Sequence, residues 1–381
     1  FLLFACNSEE PEWSKVPDVA PLRRMTSLQY KNTLYELYGF IESDEYPIHF
    51  PEAFSLDGFN NNAQVNTAQP ALVEAYQNAS ISITEYLMEE DYFAVCTETT
   101  EPETCIQSWL ETETEQLWRR PIQSTERQDL NEFYAELTAE IDKELALQLI
   151  LQYLLQTPEF IYFGEFGDTT KQTELGIPLT SWELATRMSY FLWNGPPDAE
   201  LRARAKADDL QDRSEIITQA WRMLEDPRAR KTIEDFHVQW LELDKIGSTS
   251  LDFEIYNIDT FGFDSSDYLH QILQPHMAME SRVLIDQIIF SRSGQLAEIF
   301  NTSIQYTTEP LSVLYGVEIG EDAPQVRWEY GDGDTERFYE VQLLEEERAG
   351  VLTQLGILNA HATHKYPSPI KRGVFVKERI L

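Results

Sequence analysis

The stretch LTSWELATRMSYFLWNGPPDAEL, from Leu179 to Leu201, contains the start, the apolar face and the end of one helix. Thr180 and Glu183 have the spacing of a capping box, in which the two side chains satisfy backbone N–H groups that the first helical turn leaves without partners. Gly195 and the two prolines after it predict where the helix ends. Apolar residues at helical spacing predict one buried face, formed by Leu184, Ala185, Met188, Phe191 and Leu192.

Similar signals predict helices on both sides of this stretch. Thr26 can cap a helix that runs through Tyr38, because Gly39 follows as a stop. A further long helix is expected from about Tyr268 to Phe290, with Gly294 after its end.

Asp226 and Pro227 predict the start of another helix, since proline is favoured at the first helical position. We expect Trp221 to lie in a core together with the apolar stripe of that helix. This stripe is formed by Ile233, Phe236, Trp240 and Leu241.

Only the segment from Gln325 to Leu344 alternates with the period of a strand. Val326, Trp328 and Tyr330 fall on one side, and a turn follows them. The predicted fold class is therefore mainly α, with multi-helical modules and a small β-hairpin insertion near 325–344.

Composition limits the kind of partner. The 381 residues, 42% of them hydrophobic and 12% aromatic, are enough for two or three domains with large cores. The 66 acidic and 29 basic residues give a formal net charge of −37. Because a nucleic-acid-binding protein needs a basic face, we expect no nucleic-acid partner.

The run Leu3-Phe4-Ala5-Cys6 resembles the lipobox of bacterial lipoproteins. Residues 1–6 are therefore predicted to be the end of a lipoprotein signal with Cys6 as the lipidated residue, and residues 7–20 to be a linker. By resemblance to other lipoproteins, Asn7 after the cysteine favours the outer membrane, and the face, towards the periplasm or the exterior, stays open. Beyond residue 6 no apolar run approaches the roughly 18 to 20 residues that span a bilayer, so the membrane partner would be reached through lipid. The alternative is a buried cysteine in an ordinary apolar start.

Cys96 and Cys105 remain as a pair once Cys6 is assigned to lipid. An exported protein meets an oxidising environment, so we expect a disulfide between them. Two free buried thiols are the alternative, and the spacing does not favour a zinc site.

The densest polar constellation is HATHKYPSPIKRG, from His361 to Gly373. It supplies two histidines that could bind a metal, and two cations that could hold a carboxylate or sulfate. The alternative is a fixed Pro-Ser-Pro turn whose serine caps a helix beginning near Ile370. The candidate ligand-binding residues are His361, His364, Ser368, Lys371 and Arg372.

Other candidate sites are weaker. Asp332 and Asp334 could contribute to a calcium site, but they lack EF-hand spacing and also suit a turn. The WRRP motif, Trp118 to Pro121, offers either an anion fork or internal ion pairs. His237 and His276 fall in helical patterns and are expected to be packed or solvated. No covalent haem motif and no hydrolase or nucleotide-binding motif is present, so no cofactor and no catalytic residue is assigned and enzymatic activity stays open.

Several stretches, taken in order, resemble the Planctomycete Surface Domain group, a set of domains of unknown function on exported bacterial proteins. They are LRRMTSLQYKNTLYELYG (22–39), GFNNNA (58–63), WRRPI (118–122), LLQTPEFIY (154–162), the stretch at 179–201, MLEDPRA (223–229), FHVQWL (236–241) and the C-terminal run from 348 to 381.

The resemblance implies four consecutive modules, at about 21–90, 91–168 after the cysteine pair, 175–320 and 338–381, and it implies that both ends of the chain are truncated. Similar proteins often occur with c-type cytochrome domains. We therefore expect an exported, lipid-anchored envelope protein with a binding or scaffold role. The alternatives are an accessory component of a cytochrome-linked redox system, or a metal-dependent enzyme acting on an envelope or extracellular polymer.

Overall fold

The computed structural model describes residues 22–56, 58–64, 69–174, 176–247, 268–330, 334–344, 346–363 and 366–381. Within these residues the chain is mainly helical, with one sheet of two strands and one of three, so the predicted fold class is confirmed. The chain divides into two compact units, the first reaching Ala229 and the second beginning at Arg230 and including Phe59. None of the described helices combines the length and the apolar character needed to cross a bilayer.

The first unit is a set of short and medium helices with one small sheet. In that sheet β1 (Arg23–Arg24) pairs antiparallel with β2 (Tyr162–Phe163). The helices are Ser27–Tyr38, Pro70–Glu89, Ala94–Thr97, Pro102–Trp118, Ser124–Thr138, Lys143–Leu154, Pro158–Ile161, Ser181–Leu192, Ala199–Lys206, Arg213–Leu224 and the first turn of Pro227–Trp240.

The predicted helix signals of this unit are confirmed. Thr26 caps the helix Ser27–Tyr38, and Gly39 ends it in the left-handed conformation. Thr180 and Glu183 form the predicted capping box at the start of Ser181–Leu192. These signals succeed because they depend only on neighbours within one turn of the chain.

The predicted buried face of Ser181–Leu192 is partly wrong. Ala185 is fully buried, but Phe191 is 76% exposed, and Tyr190 is buried in its place. The reason is tertiary: the Tyr190 hydroxyl lies 2.8 Å from Thr33 Oγ1, and its ring packs against Phe163. The rest of the predicted face is kept, because Leu184, Met188 and Leu192 pack with Ala185 in one apolar cluster.

Two other predicted core aromatics are also exposed. Trp221 is 65% exposed on the helix Arg213–Leu224. Phe236 is half-exposed in the second unit, and its ring stacks on that of Phe59. Amphipathic spacing identified the helices correctly, but it did not identify which large apolar residues would be covered.

Cys96 and Cys105 form the predicted disulfide, with their Cα atoms 5.3 Å apart. Cys96 belongs to the buried cluster of the first unit. In the same cluster the carboxylate of Glu113 accepts hydrogen bonds from the hydroxyls of Tyr38 and Tyr92, at 2.9 and 2.6 Å. This buried carboxylate is thus satisfied within the protein.

The second unit packs helices against a three-stranded antiparallel sheet. The long predicted helix is confirmed as one continuous segment, with π-helical turns at Leu269–Leu273 and Gln287–Ser291 on either side of the α-helix Gln274–Asp286. The other helices are the remainder of Pro227–Trp240, Leu296–Asn301, Glu309–Tyr315, Leu355–Ala360 and Pro369–Arg379.

The sheet has the strand order β3-β5-β4, where β3 is Ile304–Thr307, β4 is Gln325–Tyr330 and β5 is Asp334–Gln342. The predicted hairpin is β4 and β5, whereas β3 was not predicted because four residues are too few to show a period. β3 pairs only with residues 339–342 of β5, while β4 pairs with 334–339. The start of β5 therefore has a strand on one side only.

Candidate functional site

Three residues from the sequence predictions, Cys6, His364 and Asp332, lie outside the described residues. Asp334 is exposed at the start of β5, opposite Tyr330. Within the described ranges no group of three His, Cys, Asp or Glu side chains is placed to hold a metal ion.

His361 is buried and stacks on the ring of Phe375 with 4.2 Å between the ring centroids. Its Nε2 atom is buried and has no hydrogen-bond partner in the part of the chain that the structure describes. Burial lowers the pKa of His361 below its ordinary value. The imidazole is thus a packed neutral ring, and its role in ligand binding stays a prediction.

Ser368 accepts a hydrogen bond from the backbone N–H of Lys371 and caps the helix Pro369–Arg379, as the turn interpretation predicted. The ammonium of Lys371 donates to the carbonyl of Ala362 at 3.0 Å. Arg372 is half-exposed on the same helix. The structure therefore brings His361 and Lys371 to one end of this helix, with Ser368 serving as a cap.

The WRRP motif does not form an anion fork. Arg119 is buried and donates to the carbonyls of Leu117, Glu159, Phe160 and Tyr162, at 2.9 to 3.0 Å. Arg120 donates to both carboxylate oxygens of Glu126, at 2.9 and 2.7 Å. The guanidinium of Arg119 is thus used in hydrogen bonds inside the protein. Arg120 forms an internal ion pair, which was the alternative interpretation of this motif.

The second unit contains a different polar groove, of about 410 Å³, at the start of β5. The groove lies where β3 has ended and β5 continues, so side chains of β5 and of the elements beside its open edge line it. We call it the hairpin groove. Its lining residues are His276, Glu309, Pro310, Arg327, Thr335, Glu336, Arg337 and Tyr339.

His276 is the central residue of the hairpin groove. Its Nδ1 lies 2.8 Å from Thr308 Oγ1, and its Nε2 lies 3.3 Å from Glu336 Oε2. The other oxygen of Glu336 accepts the backbone N–H of Arg337 at 2.8 Å, which fixes the carboxylate in place. Burial lowers the pKa of His276, and the Glu336 carboxylate opposes this effect.

These contacts assign one tautomer to the neutral ring. An ionised Glu336 can only accept, so Nε2 carries the proton and donates to it. Nδ1 then accepts from the hydroxyl of Thr308. This order of hydroxyl, imidazole and carboxylate is that of an acyl-transfer triad. Thr308 is only 1% exposed, however, so its oxygen is not placed to attack a substrate, and the chain of contacts positions His276 and Glu336 instead.

Two arginines face each other at this groove. Arg327 on β4 is directly opposite Arg337 on β5, and both side chains are exposed. Like charges directly opposite each other on neighbouring strands are destabilising. No carboxylate in the described ranges forms an ion pair with either guanidinium, although the chain carries a net charge of −37. Each guanidinium presents a fork of N–H donors that can bind a carboxylate or sulfate.

The other side chains that line the hairpin groove add hydrogen-bonding groups. Glu309 is an exposed carboxylate, which can accept from hydroxyl donors. Thr335 and Tyr339 contribute hydroxyl groups. The groove therefore suits a ligand that carries both an anionic group and several hydroxyls.

Sequence reasoning missed this site. His276 and Thr308 are 32 residues apart and belong to different elements, so no local pattern joins them. The arginine pair did leave a signal: a hairpin in which Tyr330 pairs with Asp334 places position 327 opposite 337. The positions of strand and turn would thus have given the register.

Three family models match consecutive parts of the chain. They are PSD3, a protein of unknown function (DUF1587), at residues 23–89, PSD5 (DUF1595) at 105–165, and PSD4 (DUF1592) at 179–317. No curated protein and no solved structure matches the chain significantly. His276, Thr308 and Glu309 fall within the PSD4 match, whereas the hairpin follows it. The chain therefore contains three consecutive domains of the Planctomycete Surface Domain group, whose function is unknown and which indicate an exported protein of the cell envelope.

Proposed function

We propose that this protein is held at the cell envelope by lipid on Cys6 and binds an anionic, hydroxyl-rich polymer of the envelope or the extracellular space through the hairpin groove. The observation that carries the binding role is the cross-strand pair of Arg327 and Arg337. Such a pair costs stability without a counter-charge, and a bound carboxylate or sulfate supplies that charge.

The remaining groups of the groove support a saccharide as the carrier of the anion. His276 and Glu336 are held rigid by Thr308 and by the backbone of residue 337, so they present fixed polar groups rather than mobile ones. Fixed groups lose little conformational freedom on binding. The carboxylate of Glu309 accepts hydroxyl hydrogens and repels a second anion nearby, which favours an acidic sugar over a dense polyphosphate.

The net charge of the protein sets the conditions of the experiment. At low ionic strength a formal charge of −37 repels an anionic polymer over a long range. At about 0.15 M salt the Debye length is about 8 Å, so that repulsion is screened while direct contacts in the groove persist. Binding is therefore measured at this ionic strength.

The experiment compares immobilised dextran sulfate and polygalacturonate with unmodified dextran. We expect binding to at least one of the two anionic polymers and none to dextran. The double variant Arg327→Ala/Arg337→Ala should lose at least about tenfold in affinity. Arg213→Ala, which removes an exposed arginine of the first unit, is the matched control and should change nothing. Equal binding by the double variant, or absence of binding to both anionic polymers, would overturn the binding role.

The anchor is tested separately, by the intact mass of the protein purified from its native envelope. Attached acyl chains that map to a peptide with Cys6 at its N-terminus would support the anchor. An unmodified Cys6 would remove it from the proposal and leave the binding role to the polymer experiment.

A further inference from the structure

The first unit contains a groove of about 510 Å³ that is lined by aromatic rings. This volume lies within the range of about 300–1,000 Å³ that is typical of small-molecule sites. We call it the aromatic groove. Its aromatic residues are Trp118, Tyr162, Phe163, Phe166 and Trp182.

Phe166 is 78% exposed, yet it is held in place from two directions. The backbone N–H groups of Phe166 and Gly167 donate to Glu183 Oε1 at 2.6 and 2.9 Å. The ring lies close over Gly164, where an added Cβ would be 2.9 Å from the ring atom Cε2. The backbone hydrogen bonds and the contact with Gly164 thus restrict where this exposed ring can lie.

Four of the five charged side chains that line the aromatic groove already form hydrogen bonds or ion pairs inside the protein, and Glu159 is the exception. Arg119 donates to four carbonyls, and Arg120 pairs with Glu126. Glu165 accepts from Arg187 at 2.9 and 2.5 Å, and from Arg23 at 3.3 Å.

Glu183 is likewise occupied by Thr180 and the backbone of residues 166 and 167. An ionic ligand would have to compete with these contacts, so the groove is suited to a neutral one.

Polar groups beside the rings are available for hydrogen bonds. The Nε1–H of Trp182 has no acceptor among the described residues, and its side chain is half-buried at the groove. Glu159 is exposed and forms no ion pair with any residue that the structure describes. An indole N–H donor and a carboxylate acceptor beside exposed ring faces can engage hydroxyl groups.

The aromatic groove continues past Trp118 and Glu159, which also line a neighbouring hollow of about 350 Å³. Phe133 and Tyr153 lie in this hollow, and Tyr153 is half-exposed. The two hollows thus share two lining residues, so a ligand bound in one can extend into the other.

We propose that the aromatic groove of the first unit binds a neutral saccharide chain, with sugar rings packed on Phe166 and Trp182 and hydroxyls bound by Trp182 Nε1 and Glu159. This site is distinct from the hairpin groove in its residues, in its unit and in the charge of its ligand. Failure of either binding experiment therefore leaves the other proposal unaffected.

The experiment is isothermal titration of the full chain with four neutral hexasaccharides, built from β-1,4-linked glucose, xylose, mannose and N-acetylglucosamine. We expect at least one to bind with a dissociation constant of about 10 µM to 1 mM. Trp182→Ala and Phe166→Ala should each weaken that binding at least about tenfold. Misfolding is excluded as the cause of weaker binding if the thermal unfolding transition of each variant matches that of the wild type.

Matched controls come from exposed aromatics that do not line the groove. Phe191→Ala removes a 76% exposed ring from the same helix as Trp182, and Trp221→Ala removes a 65% exposed indole from the first unit. Both should bind as the wild type does. The inference is overturned if none of the four hexasaccharides binds, or if binding survives in both Trp182→Ala and Phe166→Ala.

Discussion

The hydroxyl of Tyr315 donates to the carboxylate of Glu280 at 2.8 Å in the core of the second unit, where Glu280 is completely buried. Gln305 Nε2 and the backbone N–H of Gly356 also donate to this carboxylate, at 2.9 and 3.0 Å. Burial nevertheless raises the pKa of Glu280 to about 7, because the loss of hydration outweighs the three donors.

This pKa predicts a pH dependence of stability. The pKa of this carboxyl is about 7 in the folded state and 4.5 in the unfolded chain. Between these values the folded state holds more protons, so the free energy of unfolding falls as pH rises, by up to about 3 kcal/mol. Glu280→Gln has no such group, and the difference between wild type and variant should change by this amount between about pH 4.5 and pH 8.

Urea unfolding of both proteins across that pH range provides the measurement. Glu113, whose pKa burial also raises, contributes to the slope of both proteins equally and cancels in the difference. A difference that stays constant with pH would show that Glu280 is ionised throughout.

Glu183 has two structural roles. It completes the capping box with Thr180, and it also accepts hydrogen bonds from the loop that carries Phe166. Glu183→Ala should lower the free energy of unfolding by about 1–2 kcal/mol, since a cap and two loop hydrogen bonds are lost. Glu225→Ala, which changes an exposed glutamate that forms no ion pair in the described ranges, should stay within about 0.5 kcal/mol of wild type. Equal effects of the two variants in urea unfolding would contradict this role.

Two glycines of the second unit should respond in opposite directions to alanine. A Cβ at Gly356 would collide with the backbone carbonyl oxygen of Met277, so Gly356→Ala should cost about 2–3 kcal/mol. A Cβ at Gly373 meets nothing within 4 Å, and this residue is exposed in the helix Pro369–Arg379. Gly373→Ala should stabilise by about 0.5–1 kcal/mol, because alanine is the better helix former. Thermal and urea unfolding of the two variants test both signs.

The sequence was most informative where a structure depends on close neighbours. The caps at Thr26 and Thr180 and the β4–β5 hairpin follow from spacing within a few residues. The burial of Tyr190 next to an exposed Phe191 could not be predicted, since the Tyr190 hydroxyl contacts Thr33 on a helix far away in the sequence.

The same limit explains why the hairpin groove was missed. A helical pattern correctly placed His276 on a helix, but it could not show that Thr308 and Glu336 would contact the two nitrogens of its ring. The arginine pair was open to prediction from the strand register, which places position 327 opposite 337, but that register does not reveal the contacts of His276. Binding sites assembled from separate elements depend on tertiary contacts, and one sequence does not encode these in any local pattern.

The Cys96–Cys105 disulfide closes a short loop, with the two residues nine positions apart. Cys96→Ala/Cys105→Ala should lower the free energy of unfolding by about 2.5–3 kcal/mol, because the unfolded chain regains the freedom that the bridge removes. Wild-type protein unfolded under reducing conditions should approach the same value. A double variant as stable as the oxidised wild type in urea would show that the bridge does not constrain the unfolded chain as expected.

Replacing Arg327 of the arginine pair is expected to leave the stability of the protein unchanged or improved, while it weakens the binding of the anionic polymer. Arg327→Thr relieves the repulsion with Arg337 and places a β-branched residue on a strand, so the free energy of unfolding should be unchanged or rise by up to about 1 kcal/mol. Affinity for the anionic polymer should fall in the same variant, because half of the cationic pair is gone. Urea unfolding and polymer binding are measured on one preparation, with Arg213→Ala as the reference for removing an exposed arginine elsewhere. A loss of more than about 1 kcal/mol in Arg327→Thr would mean that this guanidinium stabilises the hairpin, and the pair would then need no ligand to explain it.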